Sequence, residues 1–225
     1  MQNTDFINDA YTIISLGNDC AVRYYLTMGG LKKSKSLGEL SLPFDLSCHP
    51  TKSVVKILKN NFNDYFNNLL FKNGIWVNKK YKILYNHDKD CDENSKIKLI
   101  ARFANRIENF NNIVKNSPYI FFVIKSQAKA SEIINLYKVL RQKRNDLPFK
   151  LLVLDMDCKI RKEFKEKEII LFSKHHPFPK SSDWWKPEYK DSAQSIQYQN
   201  DICKFVENEI KKDFKVNKYN ISNLK

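Results

Sequence analysis

The chain has 225 residues, 42% of them hydrophobic and 13% aromatic, enough for one sizeable domain with its own core. Its net charge of +14 comes mostly from lysines spread along the whole length, which reads as a solvated surface and makes a nucleic-acid partner an unfavoured reading. Five cysteines without a CxxC pair or regular spacing argue against a disulfide framework and a structural zinc site. No apolar run approaches the roughly 20 residues of a membrane span, and the polar, acidic start lacks a signal-peptide pattern. A reduced, cytoplasmic protein is the expectation.

In chain order, residues 12–17 (TIISLG) form a short β-prone run ending at Gly17. From Asp19 the spacing turns helical, with Ala21, Val22, Tyr25 and Leu26 on one stripe and Gly29-Gly30 as a stop. Residues 31–48 are irregular, and a second helix starts at Pro50-Thr51. A weaker extended region covers 75–77 and 81–85 and closes on Asn86-His87-Asp88. A long helix spans about 96–115, a strand 119–126, a helix 129–144, strands 149–157 and 168–173, and a closing helix 192–214 before a polar tail. Several strands are continuous apolar runs, as strands covered on both faces are. The pattern predicts a single α/β domain, a three-layer sandwich round a mainly parallel sheet.

Ligands of an open parallel sheet bind beyond the carboxyl ends of its strands. If all these strands are parallel, that edge collects Gly17, Asn18, Asp19, Cys20, Asn86, His87, Asp88, Lys125, Ser126, Asp155, Asp157, His175 and His176. Cys20 falls in the first turn of a helix, where free N–H groups and the helix dipole favour a thiolate nucleophile. Backbone N–H groups of residues 17–20 could form an oxyanion hole. An inert, buried cysteine is an equally open reading of the spacing alone. His87 is the natural base, with His176, late in the chain after a strand, as its rival; Asp19, Asp45 or Asp155 could orient the imidazole.

Three further features carry two readings each. Arg102, one turn from Arg106, could grip an anionic substrate or lie on a solvated helix face. Trp184, in a proline-bearing loop, could wall a ligand site or pack on the core. Asp155 and Asp157 form a DxD that is more often solvated than metal-binding. Walker, Rossmann, GxSxG and HExxH signatures are absent, and no metal is expected.

Ser15-Leu16-Gly17 with Cys20, Pro43-Phe44-Asp45, Asn86-His87-Asp88 and a helix with Arg102-Phe103 and Arg106 together resemble the DUF1796 family of papain-like cysteine peptidases. The resemblance covers about residues 11–155. It implies Cys20 as nucleophile and His87 as its partner, supported by Asp45 and Asp88. A papain-like α+β fold would follow from the label, whereas the element order is similar to SGNH-type esterases and acyltransferases with Cys in place of Ser. It is also similar to cysteine-containing enzymes of bacterial capsule polysaccharide biosynthesis.

The expected activity is therefore hydrolysis or transfer of an acyl group on a peptide or glycan. No cofactor is expected, with an acyl-CoA-type donor only for a transferase. The alternatives are a glycan-modifying transferase without a covalent cysteine intermediate, and a non-enzymatic module that binds an anionic polymer.

Overall fold

The computed structural model describes residues 10–156 and 158–214, Cys158 by its backbone alone. Asp157 and the polar tail beyond 214 lie outside the described residues. The centre of the fold is β5 (Ile120–Lys125), buried along its whole length. Its six residues have no polar face, so the strand needs cover on both sides, and helices supply it.

β5 is paired in parallel with β1 (Thr12–Ser15) on one side and with β6 (Phe149–Leu154) on the other; β6 pairs in parallel with β7 (Ile169–Leu171). Side chains alternate between two cores, as a period of two requires. Ile14, Phe122, Ile124, Leu151 and Val153 join a core with α2 (Thr51–Lys59) and α4 (Ala130–Lys143). Ile13, Phe121, Val123, Leu152 and Leu154 join another with α1 (Ala21–Met28) and α6 (Ala193–Asp213). Each fully buried Phe or Leu stabilises the fold by about 1.5–3 kcal/mol through burial. The result is the three-layer α/β arrangement that the sequence pattern predicts. The papain-like α+β alternative does not match, because this central sheet is parallel throughout.

A second, antiparallel sheet departs from the expectation. β2 (Leu69–Lys72), β3 (Ile75–Asn78) and β4 (Ile83–Tyr85) form a meander inside the long connection between β1 and β5. Asn73 (φ 51°) and Gly74 (φ 77°) make its first turn. Two consecutive left-handed residues suit the twist of a tight hairpin, and Asn-Gly is the pair that adopts them most easily. The extended region at 81–85 therefore belongs to this meander and not to the parallel sheet. It is joined to the rest by an isolated bridge between Leu84 and Cys48 and by Leu69, Trp76, Ile83 and Tyr85, which share the core of α2 and α4. After β4, α3 (Lys96–Asn116) returns the chain to β5, burying Leu99, Phe103, Phe110 and Val114.

Two glycines are needed where they stand. Gly17 (φ +87°) makes the turn after β1 in the left-handed region, and a Cβ there would lie 3.2 Å from His49 Cβ. Gly29 ends α1 against α6: a Cβ there would lie 2.2 Å from Cys203 Sγ and 3.0 Å from its Cβ. Gly29→Ala should therefore cost about 1–3 kcal/mol in chemical denaturation, as overpacked sites do. Adding Cys203→Ala should recover part of that loss. Equal stability of Gly29→Ala and the parent chain would contradict this packing.

Candidate functional site: a cysteine–histidine contact

The site begins with the sharp turn from β1 into α1. Gly17 and Asn18 (φ 70°) are both left-handed, and the Asn18 N–H donates to the His49 carbonyl at 3.0 Å. That reversal delivers Cys20 to the N-cap of α1. Asp19 precedes it with both carboxylate oxygens engaged. Oδ1 accepts from the Ala21 N–H at 2.9 Å, and Oδ2 pairs with Lys125 Nζ at 2.9 Å. Lys125 is the buried last residue of β5, and it also donates to the Ser181 carbonyl at 2.6 Å. A lysine buried this deeply needs a paired charge and a second acceptor, and it has both. Two N–H groups near Cys20, those of Asn18 and Ala21, are thus already bonded within the protein, which narrows the oxyanion cradle that the spacing suggested.

Across the turn, His87 Nε2 lies 3.1 Å from Cys20 Sγ. His87 follows β4, so it arrives from the antiparallel meander and not from the carboxyl end of a parallel strand. Its neighbour Asp88 turns the other way. The buried Asp88 carboxylate accepts from Arg102 Nη1 at 2.8 Å and Arg106 Nη2 at 3.3 Å, both on α3. Arg102 also forks onto Asp90 at 2.8 and 2.6 Å, and Arg106 lies over the Phe103 ring at 4.3 Å. Asp88 therefore clamps the loop that carries His87, and its oxygen contacts are with the two arginines.

The electrostatics do not favour a resting thiolate. Burial pushes the Cys20 thiol up to about 12, with the Asp19 carboxylate and Cys48 adding to the rise. Its own N–H and Lys125 pull the other way without prevailing. His87 is lowered from its ordinary value, by burial first, with Lys89 and Arg106 adding and Asp88 opposing. Near neutral pH the pair is accordingly a neutral thiol beside a neutral imidazole. The expected thiolate at the helix start is corrected: one turn of dipole is outweighed by desolvation and an adjacent carboxylate.

The other candidates fall into separate places. Asp45 is buried in the 42–49 loop, where its Oδ2 accepts from the Leu42 N–H at 2.9 Å; burial raises it despite Lys32 and Arg23. Ser126 Oγ meets Thr51 Oγ1 at 2.7 Å and receives the Ala128 N–H, tying the β5–α4 turn to α2. Arg102 serves Asp88 and Asp90, so its guanidinium is not left open for an anionic substrate. Trp184 is 6% exposed and packs on Tyr24 and Tyr25, a core residue and not a ligand wall. His176 Nε2 sits 3.6 Å from Asp155 Oδ1 and stacks on Phe178, while His175 is exposed beside them. That second cluster also includes Ser181, whose hydroxyl donates to Asp155 Oδ2.

Four positions that matter to this geometry, Cys48, His49, Ser181 and Gln127, were not singled out from the sequence. Lys125 carries a signal of its own, a charge ending an otherwise apolar strand at the expected edge. Cys48 and His49 had none, because they act through their backbones. Ser181 and Gln127, which approach Asp155, are ordinary loop residues in sequence.

Two outcomes test this account. His87 is exposed, so His87→Ala should change stability by less than about 0.5 kcal/mol. Asp88→Ala leaves two arginines facing a buried void and should cost about 3 kcal/mol in urea denaturation. The order of the two losses is the decisive reading. For the thiol, iodoacetamide labelling mapped to Cys20 should be slow at pH 7 and still rising above pH 9. Asp19→Asn removes a nearby negative charge and should shift that profile to lower pH. A plateau already reached by pH 7 would show an ion pair instead.

No curated protein and no solved structure matches the chain. One family model does, over residues 11–158, a segment holding β1, the Cys20 turn, the meander with His87, and the strands β5 and β6. Its description is "Putative papain-like cysteine peptidase (DUF1796)". At the coarse level this supports a cysteine-dependent enzyme, and no helix among the described residues is long and apolar enough to cross a membrane. With the match spanning well over half of its length, the chain belongs to the DUF1796 family.

Proposed function

We propose that the protein is a thiol-dependent acyl hydrolase or acyltransferase in which Cys20 is the nucleophile and His87 the general base. The observation that carries this reading is the 3.1 Å contact between Cys20 Sγ and His87 Nε2. That distance lies within the range for sulfur hydrogen bonds and suits direct proton transfer. Their resting state sets the order of events. Because the thiol is neutral, the sulfur gains its nucleophilic character only as the imidazole removes its proton. Attack and deprotonation are then coupled, as for a serine activated by histidine.

In the forward step the Cys20 Sγ–H proton passes to His87 Nε2 while sulfur bonds to the substrate carbonyl carbon. The carbonyl electron pair moves onto oxygen, then returns as the bond to the leaving group breaks. His87 hands its proton to that group. A thioester remains on Cys20, and water or an acceptor hydroxyl or amine, deprotonated by His87, releases it. A neutral imidazole is required throughout the first step. His87 is held below its ordinary value, so the acid limb of activity should lie below pH 6.5.

The exposed side of the pair leaves room for a peptide or glycan-borne acyl group, in keeping with the peptidase name of the family. Incubation with p-nitrophenyl acetate should add one acetyl group to Cys20, detected by intact mass and peptide mapping. Cys20→Ala should abolish the adduct, and His87→Ala should slow its formation by about 10²–10⁴-fold, the usual share of a general base. Equal acetylation of parent and His87→Ala chains would remove His87 from the mechanism. Absence of any adduct on Cys20 would remove the nucleophile.

A further inference from the structure

A second polar cluster lies along the same strand edge, away from the Cys20–His87 contact. Asp155 follows β6 with φ 68°, a left-handed conformation that an aspartate adopts only at some cost. Its side chain is 1% exposed, so the carboxylate is almost wholly withdrawn from water. Oδ2 is served by the Ser181 hydroxyl and lies 3.5 Å from Gln127 Nε2. Oδ1 has no hydrogen-bond partner, since His176 Nε2 at 3.6 Å is beyond reach. A buried carboxylate oxygen without a donor is costly, and such groups call for an explanation.

The same residue lines a cleft of about 620 Å³, a volume typical of small-molecule sites. The start of α4, with Ala128, Lys129 and Ser131, also lines it. The Lys129 carbonyl accepts from the Glu132 and Ile133 N–H groups at 2.9 and 3.4 Å, so the N–H groups of Ala130 and Ser131 lie ahead of these bonds at the helix start. A helix start with an exposed lysine at its cap favours an anion. Asp155 therefore asks for a hydrogen-bond donor and the start of α4 for negative charge. An ammonium ligand would meet the positive end of α4.

We propose that this cleft binds a phosphorylated vicinal diol, the chemistry shared by ribose phosphates and nucleotides, with Asp155 Oδ1 accepting from a hydroxyl and the α4 start holding the phosphate. The site is distinct from the Cys20 centre but wired to it. Ser181 donates its hydroxyl to Asp155 and its carbonyl accepts from Lys125, which pairs with Asp19 beside Cys20. A ligand held here would lie next to the acyl centre, as a second substrate or the carrier portion of the first.

The test uses the full chain carrying Cys20→Ala, so that binding is read independently of the acyl chemistry. Titration calorimetry with AMP and with ribose 5-phosphate should give saturable binding. Similar affinity for both would assign the ribose phosphate as the whole recognised group, and tighter AMP binding would add the base. 2′,3′-Dideoxy-AMP should bind about tenfold or more weakly, because it leaves Asp155 unpaired. Lys129→Ala, an exposed substitution that does not threaten folding, should weaken binding about threefold to tenfold. Asp155→Asn should weaken the diol ligands and not the dideoxy analogue. No saturable heat with either phosphate up to about 10 mM overturns the proposal. So does binding that ignores both the missing hydroxyls and the loss of Lys129.

Discussion

Two consecutive backbones, those of Cys48 and His49, hold the functional site together. The Cys48 N–H and carbonyl exchange bonds with Leu84 at 3.1 and 3.3 Å, which fixes the strand three residues before His87. The His49 carbonyl takes the Asn18 N–H, which fixes the turn two residues before Cys20. The cysteine belongs to the parallel sheet and the histidine to the meander, and the two sheets share no strand. Their meeting therefore depends on this splice. His49 itself anchors the splice in the core: its imidazole bonds to Tyr65 Oη at 2.9 Å and is pushed down to about 3 by complete burial, so it stays neutral. A charged group in that place would need a counter-charge that its neighbours Phe44, Tyr65 and Ser47 do not offer.

The second constraint is the placement of charge beside the thiol. Asp19 raises Cys20 and would do so more strongly without Lys125, which opposes it from the end of β5. The ion pair thus has two consequences. It satisfies a lysine buried in the sheet, and it offsets only part of the carboxylate's effect on the cysteine, which adds to that of burial. A thiol kept protonated reacts less with stray electrophiles and oxidants, since the thiolate is the reactive form. In the proposed mechanism reactivity is then confined to the moment at which His87 accepts the proton.

Much of the fold was legible because burial on both faces leaves an unmistakable mark. Residues 120–125 and 149–154 are apolar at every position but Lys125 and Lys150, a pattern that suits strands sandwiched between helices. The meander was less visible. Its strands are three or four residues long and half-exposed, and asparagines interrupt them, although Asn73-Gly74 was a readable turn signal. Treating residues 81–85 as a parallel strand pointed to the loop of His87 by an argument that the topology does not support. Arg102 and Trp184 show the opposite limit: an arginine suited to anions and a tryptophan suited to stacking found their partners in Asp88, Asp90 and the tyrosines of α1. Sequence gives the chemistry of such side chains, but competition from neighbours decides its use.

The family name joins a chemistry to a fold, and only the first fits here. A parallel sheet with helices on both faces is not a papain-like architecture, yet a cysteine at a helix start facing an imidazole is a local arrangement that many scaffolds can build. The segment matched by the family model, 11–158, contains every element that forms the contact: β1, the 48–49 splice, the meander and the α3 arginines that clamp Asp88. β7, α6, Ser181 and His176 lie beyond it. These later elements complete the sheet edge, cover one of its faces and supply the groups around Asp155. The Cys20–His87 contact is thus built within the matched segment, whereas the cleft at Asp155 needs the part of the chain that follows it. Family membership bears on the first of these sites, and the second must be judged on the unpaired oxygen of Asp155 itself.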